Sequence, residues 1–135
     1  MGSGKHVLEY VYANEKKYAG KTWFTQPMGS GNVSEYTWSD SKTQVRSMAA
    51  YLNSLGFEPG SKIAMVSKNC AHFMMAELAI WMAGYVTVAV YPTVNAETAS
   101  FVLEHSDAKL LFVGKLDTWD EILPGVPEEM PKVAF

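Results

Sequence analysis

Two glycine-rich stretches contain residue types found in phosphate-binding loops. The segment "MGSGK" at residues 1–5 places glycines before a lysine, and a P-loop uses backbone N–H groups and a lysine to hold phosphates. No strand precedes the segment, its first glycine has the wrong spacing, and His6 stands where the motif needs Ser or Thr. The segment "GSGN" at residues 29–32 joins two β-rich runs and opens no helix. It therefore predicts a turn, not a dinucleotide site.

Two groups of potentially catalytic side chains lie further along the chain. His105, Ser106 and Asp107 are consecutive, whereas the members of a catalytic triad converge in space from separate elements. These three residues are predicted to end a helix. Cys70 and His72 are two residues apart near a predicted helix start, a spacing that directs their side chains differently. Both are predicted to serve packing.

The residues at the ends of the predicted parallel strands do not include the acidic ligands of a metal site. They fall near Ser67, Tyr91 and Gly114, and a receiver-type domain would need acidic residues there to bind Mg²⁺. We therefore predict no metal site and no catalytic residue within these 135 residues.

Composition narrows the class of protein. A chain of 135 residues that is 48% hydrophobic can bury one modest core. The net charge is −3 and the 11 Lys and Arg residues are scattered, so nucleic acid is excluded as an expected partner. Cys70 is the only cysteine, which predicts a reducing, cytoplasmic location. The longest apolar region is interrupted by Glu77 and by glycine and proline, so we expect no membrane span; peripheral membrane contact stays open.

The first 38 residues indicate a helix and a hairpin. Val7, Leu8, Val11 and Tyr12 recur at helical spacing, which predicts a lead-in helix over residues 5–18 with Ser3 as its N-cap. The runs "KTWFTQPM" and "VSEYTW" flank "GSGN" and predict a β-hairpin over residues 21–38.

Alternating helices and apolar strands fill residues 39–135. Ser39 is predicted to cap a helix that ends at Gly56, Asn69 a helix that ends at Gly84, and Asn95 a third helix. The segments "KIAMVS", "VTVAV", "AKLLFV" and the terminal "KVAF" read as buried strands, which is typical of parallel βαβ units. The fold prediction is α/β: a three-layer parallel sheet flanked by helices, with an N-terminal hairpin. Because a last strand without a following helix leaves a sheet edge uncovered, we expect an incomplete subdomain that self-associates.

Three ordered motifs resemble a known family. "YTWSD" at residues 36–40, "GFEPGSKIAMVSKN" at 56–69 and "WMAGYVTVAVYPT" at 81–93 are similar to the N-terminal region of adenylate-forming enzymes, particularly long-chain fatty-acid CoA ligases. The similarity spans residues 36–113, with a weaker match at "FTQP". It implies a parent enzyme that uses ATP and Mg²⁺ to adenylate a fatty acid and then transfers the acyl group to coenzyme A.

The resemblance also implies which parts such an enzyme needs elsewhere. Its phosphate loop, its ribose-binding acidic residue and its C-terminal lid are not found in this sequence, so residues 1–135 match only the first part of the N-terminal domain. The chain alone is therefore expected to be inactive and to bind no cofactor. An amino-acid-activating or luciferase-like enzyme, and a non-catalytic binding module, remain alternatives.

One loop receives a role from the resemblance. Tyr91, Pro92 and Thr93 follow the second-motif strand, which in CoA-forming relatives lies near the entrance of the CoA chain. The alternative is that Pro92 only ends the strand and Tyr91 packs beneath the loop. Asn69 is a helix cap first and a neighbour of the site second.

Overall fold

The N-terminal segment forms one amphipathic helix. The computed structural model describes residues 4–135, and its first helix, α1, covers Val7–Lys17. His6 is the N-cap residue, and its backbone N–H donates to Glu9 Oε2 at 2.7 Å. The predicted cap Ser3 lies outside the described residues.

The predicted hairpin is present. Strand β1 covers Thr22–Gly29 and pairs antiparallel with β2, Asn32–Thr37. The turn holds Gly29, Ser30 and Gly31 at φ values of 92°, 53° and 78°, a left-handed conformation that glycine adopts without steric cost. Trp23 of β1 stacks on Trp38 with ring centroids 3.7 Å apart, which ties the base of the hairpin to the helix that follows.

Helix α2 covers Trp38–Ser54 and begins two residues earlier than predicted. The prediction of Ser39 as its N-cap is wrong: Thr37 Oγ1 accepts the Asp40 N–H at 3.1 Å, and Asp40 Oδ2 accepts the Thr37 N–H at 3.3 Å. This reciprocal capping box uses a side chain three residues after the cap, and Asp40 stands at that distance from Thr37. Gly56, at φ 71°, follows the end of the helix as predicted.

Four parallel strands build the central sheet. They are β3 (Lys62–Val66), β4 (Val86–Val90), β5 (Leu110–Val113) and β6 (Lys132–Ala134), arranged in the spatial order β4-β3-β5-β6. Helix α3 (Ala71–Met82) connects β3 to β4, and α4 (Ala96–Ser106) connects β4 to β5. A single turn, α5 (Trp119–Ile122), and a 3₁₀ turn at Leu123–Gly125 lead into β6.

The two faces of the sheet carry separate cores. Ile63 and Met65 of β3 point to the face covered by α3 and α2, where they contact buried Ile80 and Leu52. Ala64 and Val66 point to the opposite face, which α4 and α5 cover. Alternation along each strand thus feeds both cores, and the predicted three-layer α/β fold is confirmed.

The caps of the connecting helices differ from the prediction at one position. Asn95 caps α4 as predicted, since its Oδ1 accepts the Thr98 N–H at 2.9 Å. The prediction that Asn69 caps α3 is wrong, because Cys70 is the N-cap and its Sγ accepts the Phe73 N–H at 3.4 Å. Sequence preference favours Asn at this position, but the loop places Asn69 one residue too early.

Candidate functional site

The residues singled out in the sequence lie at the carboxyl edge of the parallel sheet. Asn69 follows β3, and Tyr91, Pro92 and Thr93 follow β4. A cleft of about 230 Å³ brings Asn69, Tyr91 and Pro92 together; Thr93 lies beside it and is exposed. Carboxyl edges of parallel strands are where α/β sheets bind ligands.

Tyr91 stands out into solvent. Its exposed fraction is 78%, so the alternative that Tyr91 packs beneath the loop is wrong. Pro92 does lie at the end of β4, and its carbonyl accepts a hydrogen bond of 2.9 Å from Thr118 Oγ1. The Val94 N–H donates to the Tyr91 carbonyl at 3.3 Å and closes a turn. The loop is therefore fixed at its proline, while the Tyr91 side chain is exposed.

The strand order adds a second loop to this edge. After β3 the chain passes to α3 on one face, and after β5 it passes to α5 on the other, so β3 and β5 flank a topological switch point. The loop after β5, residues 114–118, thus lies beside the loop that contains Asn69. The two loops are far apart in sequence, since 44 positions separate Asn69 from Val113, the last residue of β5. Sequence reasoning missed this loop as a site element.

Ser67 holds the two switch-point loops together. This residue is 4% exposed, and its Oγ donates to the Lys68 carbonyl at 2.7 Å and accepts the Lys115 N–H at 3.0 Å. The Lys68 N–H also donates to the Lys115 carbonyl at 2.8 Å. Two lysines on different loops are in this way fixed at adjacent backbone positions.

Gly114 is required by the close approach of these loops. A Cβ atom at this position would lie 2.4 Å from Ser67 Oγ and 2.5 Å from a ring carbon of Phe135. Both distances are shorter than any real carbon contact, so a side chain would force the loops apart.

Two of the first three backbone N–H groups of α3, those of Ala71 and Phe73, donate to side chains. The Ala71 N–H donates to Gln26 Oε1 of the hairpin at 2.9 Å, and Cys70 Sγ takes the Phe73 N–H. The His72 ring interacts with Gln44 Oε1 at 3.1 Å and meets the Tyr36 ring edge-on. His72 and Cys70 therefore hold hydrogen bonds as well as packing positions.

In the described loops, no nucleophilic side chain lies within hydrogen-bond reach of a free base. Ser67 Oγ lies 3.8 Å from Cys70 Sγ, but the His72 imidazole is engaged by Gln44, and a nucleophile needs a base within hydrogen-bond reach. What the edge offers is charge and amide groups: Lys68 forms an ion pair with Asp117, and Lys115 and Asn69 are exposed. Such groups can bind and orient a substrate.

An apolar groove lies away from this edge. Its volume is about 520 Å³, and it lies between α2 and the side of the sheet formed by β5 and β6. Met48 and Tyr51 form one wall, and Phe112, Val133 and Phe135 form the other. The described residues thus leave apolar surface uncovered next to β6, the edge strand.

Comparison with known proteins identifies the family. The model of the AMP-binding enzyme family matches residues 11–134, nearly the whole chain. This chain belongs to the AMP-binding enzymes.

Relatives in this family are CoA ligases. The chain is 33% identical over 99 residues to the 2-methylpropanoate–CoA ligase CCL4 of Humulus lupulus, which covers 71% of the chain. It is 32% identical over 112 residues to the long-chain-fatty-acid–CoA ligase FadD15 of Mycobacterium bovis, which covers 83% of the chain. The chain spans 18% of the length of each of these two relatives.

Solved structures show the same fold. IdnL1 superposes with a TM-score of 0.82 at 19% identity, over 99% of this chain and 26% of the other. The anthranilate CoA ligase AuaEII, in complex with anthranoyl-AMP, gives a TM-score of 0.81 at 16% identity, over 100% of this chain and 26% of the other. The hairpin and four-stranded sheet therefore recur inside longer chains.

One further result concerns membranes: none of the helices among residues 4–135 is long and apolar enough to cross a bilayer.

Proposed function

We propose that this chain is the first part of the N-terminal domain of an ATP-dependent ligase that activates fatty acids. In the first step the fatty-acid carboxylate attacks the α-phosphorus of ATP, with Mg²⁺, and pyrophosphate leaves. In the second step the thiol of coenzyme A attacks the acyl carbon and AMP leaves. The observation that supports this most is the 32% identity to a long-chain-fatty-acid–CoA ligase across 83% of the chain.

The 135 residues by themselves are proposed to be inactive. Adenylyl transfer needs cations and N–H donors placed around the developing negative charge. The resemblance assigns these groups to a phosphate loop, a ribose-binding acid and a lid, and no residue of this chain matches them. We propose that a longer protein supplies them.

Within that enzyme, Tyr91, Pro92 and Thr93 are proposed to border the path of coenzyme A, with Asn69 as their neighbour. Two features support this role. Tyr91 is 78% exposed in the cleft that Asn69 also lines, and the hydrogen bond from Thr118 to Pro92 fixes the loop. A fixed, exposed loop can guide a flexible chain without reacting with it.

The location and assembly are also proposals. A single cysteine, Cys70, supports a cytoplasmic enzyme, and peripheral membrane contact would suit an enzyme that takes up fatty acids. The uncovered groove beside β6 supports self-association of the isolated chain, whose melting temperature should then rise with protein concentration. A monomer with a concentration-independent melting temperature would contradict this.

Pyrophosphate exchange tests the proposed function. The 135-residue chain and a longer protein that contains it are assayed for acid-dependent ATP–pyrophosphate exchange and for acyl-CoA formation. The acid panel runs from 2-methylpropanoate to long-chain fatty acids, with anthranilate and amino acids as the competing classes. We expect both activities in the longer protein with fatty acids and neither in the 135-residue chain. Exchange by the short chain above a heat-inactivated control would refute its proposed inactivity, and preference for an amino acid would refute the substrate class.

A further inference from the structure

The outer face of α1 exposes large apolar side chains. Val11 and Glu15 of this helix are buried against the rest of the molecule, and Glu15 is held there by a hydrogen bond from Arg46. Val7 and Tyr10, which lie one turn apart, are 56% and 55% exposed. Scattered apolar side chains are common on protein surfaces, but these two lie beside a group of lysines.

Three exposed lysines lie over the tyrosine rings of this face. Lys5 Nζ is 5.9 Å from the centre of the Tyr10 ring. Lys17 Nζ and Lys21 Nζ are 4.9 Å and 5.2 Å from the centre of the Tyr18 ring. At these distances an ammonium group is attracted to the negative face of an aromatic ring. These five residues and Val7 form the lysine–tyrosine face.

The charge of the chain is unevenly distributed. Residues 4–54, which form α1, the hairpin and α2, contain six Lys and Arg side chains and four Asp and Glu side chains, whereas residues 55–135 contain five and ten. The first part therefore carries a net charge of +2 and the second part −5. The acidic residues of α1 are Glu9, whose carboxylate accepts the His6 N–H, and the buried Glu15. Both carboxylates are thus engaged within the protein.

The lysine–tyrosine face lies on the convex side of a helix. Helix α1 packs on α2 and α3 with its inner face. The clefts at the carboxyl edge of the sheet and beside β6 are lined by other elements and include no residue of α1. Small ligands and extended peptides bind in clefts and grooves, so this face suits a broad, flat partner better.

We propose that the lysine–tyrosine face docks the protein on an anionic membrane surface, with the axis of α1 in the plane of the bilayer. Tyrosine and lysine suit the headgroup region, because each has an apolar body and a polar or charged tip. Docking is shallow, since α1 packs its buried apolar residues inside the protein. The proposal rests on the proposed function only in its benefit, which is that a fatty-acid ligase would meet its substrate at the membrane.

Vesicle flotation of the 135-residue chain tests the docking. Vesicles of phosphatidylcholine with about 30% phosphatidylserine are compared with vesicles of phosphatidylcholine alone, at low ionic strength. We expect the chain to bind the anionic vesicles and to leave them as salt is added, because salt screens the lysines. Lys17→Gln and Lys21→Gln together should lower the partition coefficient roughly thirtyfold, since each lysine near an anionic surface contributes about 1 kcal/mol. Tyr10→Ser should lower it further.

Two variants on the other side of the molecule are matched controls. Lys62→Gln removes the same charge, but Lys62 alternates along β3 with Ile63 and therefore points to the α4 side of the sheet, away from α1. Phe101→Ser removes an aromatic side chain that is 64% exposed on α4. Both variants should bind the anionic vesicles as the unchanged chain does, and thermal melts of each variant identify loss of fold.

Several results would overturn the docking. They are equal binding to both kinds of vesicle, and equal weakening by Lys62→Gln and by the Lys17→Gln, Lys21→Gln pair. Absence of binding to the anionic vesicles would also overturn it, and tight binding of polyglutamate by the same chain would then assign the face to an acidic protein. Failure of the docking leaves pyrophosphate exchange by the longer protein intact, whereas failure of the proposed function leaves vesicle binding intact.

Discussion

Glu15 of α1 and Arg46 of α2 form a bidentate ion pair. Each Glu15 carboxylate oxygen accepts a hydrogen bond of 2.7 Å from a different guanidinium nitrogen of Arg46. The Glu15 side chain is 6% exposed and that of Arg46 is 42% exposed. The hydrogen bonds from Arg46 lower the pKa of Glu15, against the opposing effect of burial. This pair fixes the lead-in helix on the rest of the molecule.

Replacing Glu15 with Gln should lower stability at neutral pH by about 1.5–3 kcal/mol, the range for hydrogen bonds to charged groups. Because the folded-state pKa of Glu15 is lowered, its contribution is full above the unfolded value of about 4.3 and is lost as pH falls through the lower folded value. Denaturant melts at pH 7 and pH 3 should show the difference narrowing. Lys109→Gln breaks an exposed pair and should cost under about 0.5 kcal/mol. Equal effects of both variants would contradict this.

The capping box of α2 gives a second prediction. Thr37→Ala removes both the acceptor for the Asp40 N–H and the donor to Asp40 Oδ2, and should cost about 1 kcal/mol. Ser39→Ala is the control, because Ser39 is exposed within the first turn and does not cap the helix. Chemical denaturation of both variants measures the difference. A larger loss of stability for Ser39→Ala than for Thr37→Ala would favour Ser39 as the N-cap, as predicted from the sequence.

Gly114→Ala should destabilise the chain by about 1–3 kcal/mol, the usual cost of overpacking. The added Cβ would lie 2.4 Å from Ser67 Oγ, so the loops after β3 and β5 would separate. Gly20→Ala is the control, since nothing lies within 4 Å of a Cβ there. Thermal melts compare the two. Unchanged stability of Gly114→Ala would show that the loops yield easily, and would weaken the case for a preorganised switch point.

The partly buried Glu77 carboxyl gives a prediction of opposite sign. Burial raises the pKa of Glu77, so the folded state holds its proton more tightly than the unfolded chain does. Its charged form therefore costs stability, and this cost appears as pH rises above about 4.3. Glu77→Gln should raise stability at pH 7 by a few tenths of a kcal/mol, with no gain at pH 3. Glu35→Gln, at an exposed hairpin position, should show neither effect. A loss of stability at pH 7 in Glu77→Gln would contradict this prediction, because it would show that the Glu77 carboxylate stabilises the fold.

Much of the fold could be predicted because local chemistry and pattern agree along the chain. The turn glycines, the caps Asn95 and Gly56, and four apolar strands all carry short-range signals. Helix starts were less predictable. Thr37 and Cys70 are the N-caps, although the nearby Ser39 and Asn69 have equal or better intrinsic capping preference.

The candidate site was only partly predictable. Asn69 and the loop at Tyr91 were placed correctly at the carboxyl edge, because every parallel strand ends there. Lys115 was missed, because the order β4-β3-β5-β6 depends on which strands pair, and that is a long-range property. No local pattern shows that residues after β5 lie beside those after β3.

The loop at residues 91–93, which is proposed to border the path of coenzyme A, gives the last prediction, made for a longer protein that contains this chain. If Thr93 borders the entrance of coenzyme A, Thr93→Trp should obstruct thioester formation while leaving adenylation largely intact, because the two steps use different entrances. The measurement compares pyrophosphate exchange with acyl-CoA formation in one preparation, and Thr98→Trp, at an exposed position of α4, controls for added bulk. We expect acyl-CoA formation to fall at least tenfold with exchange changed less than twofold, a difference of about 1 kcal/mol or more between the two barriers. Equal loss of both steps with a lowered melting temperature would show that the loop only holds the end of β4, since substitutions near packed strand ends commonly cost stability.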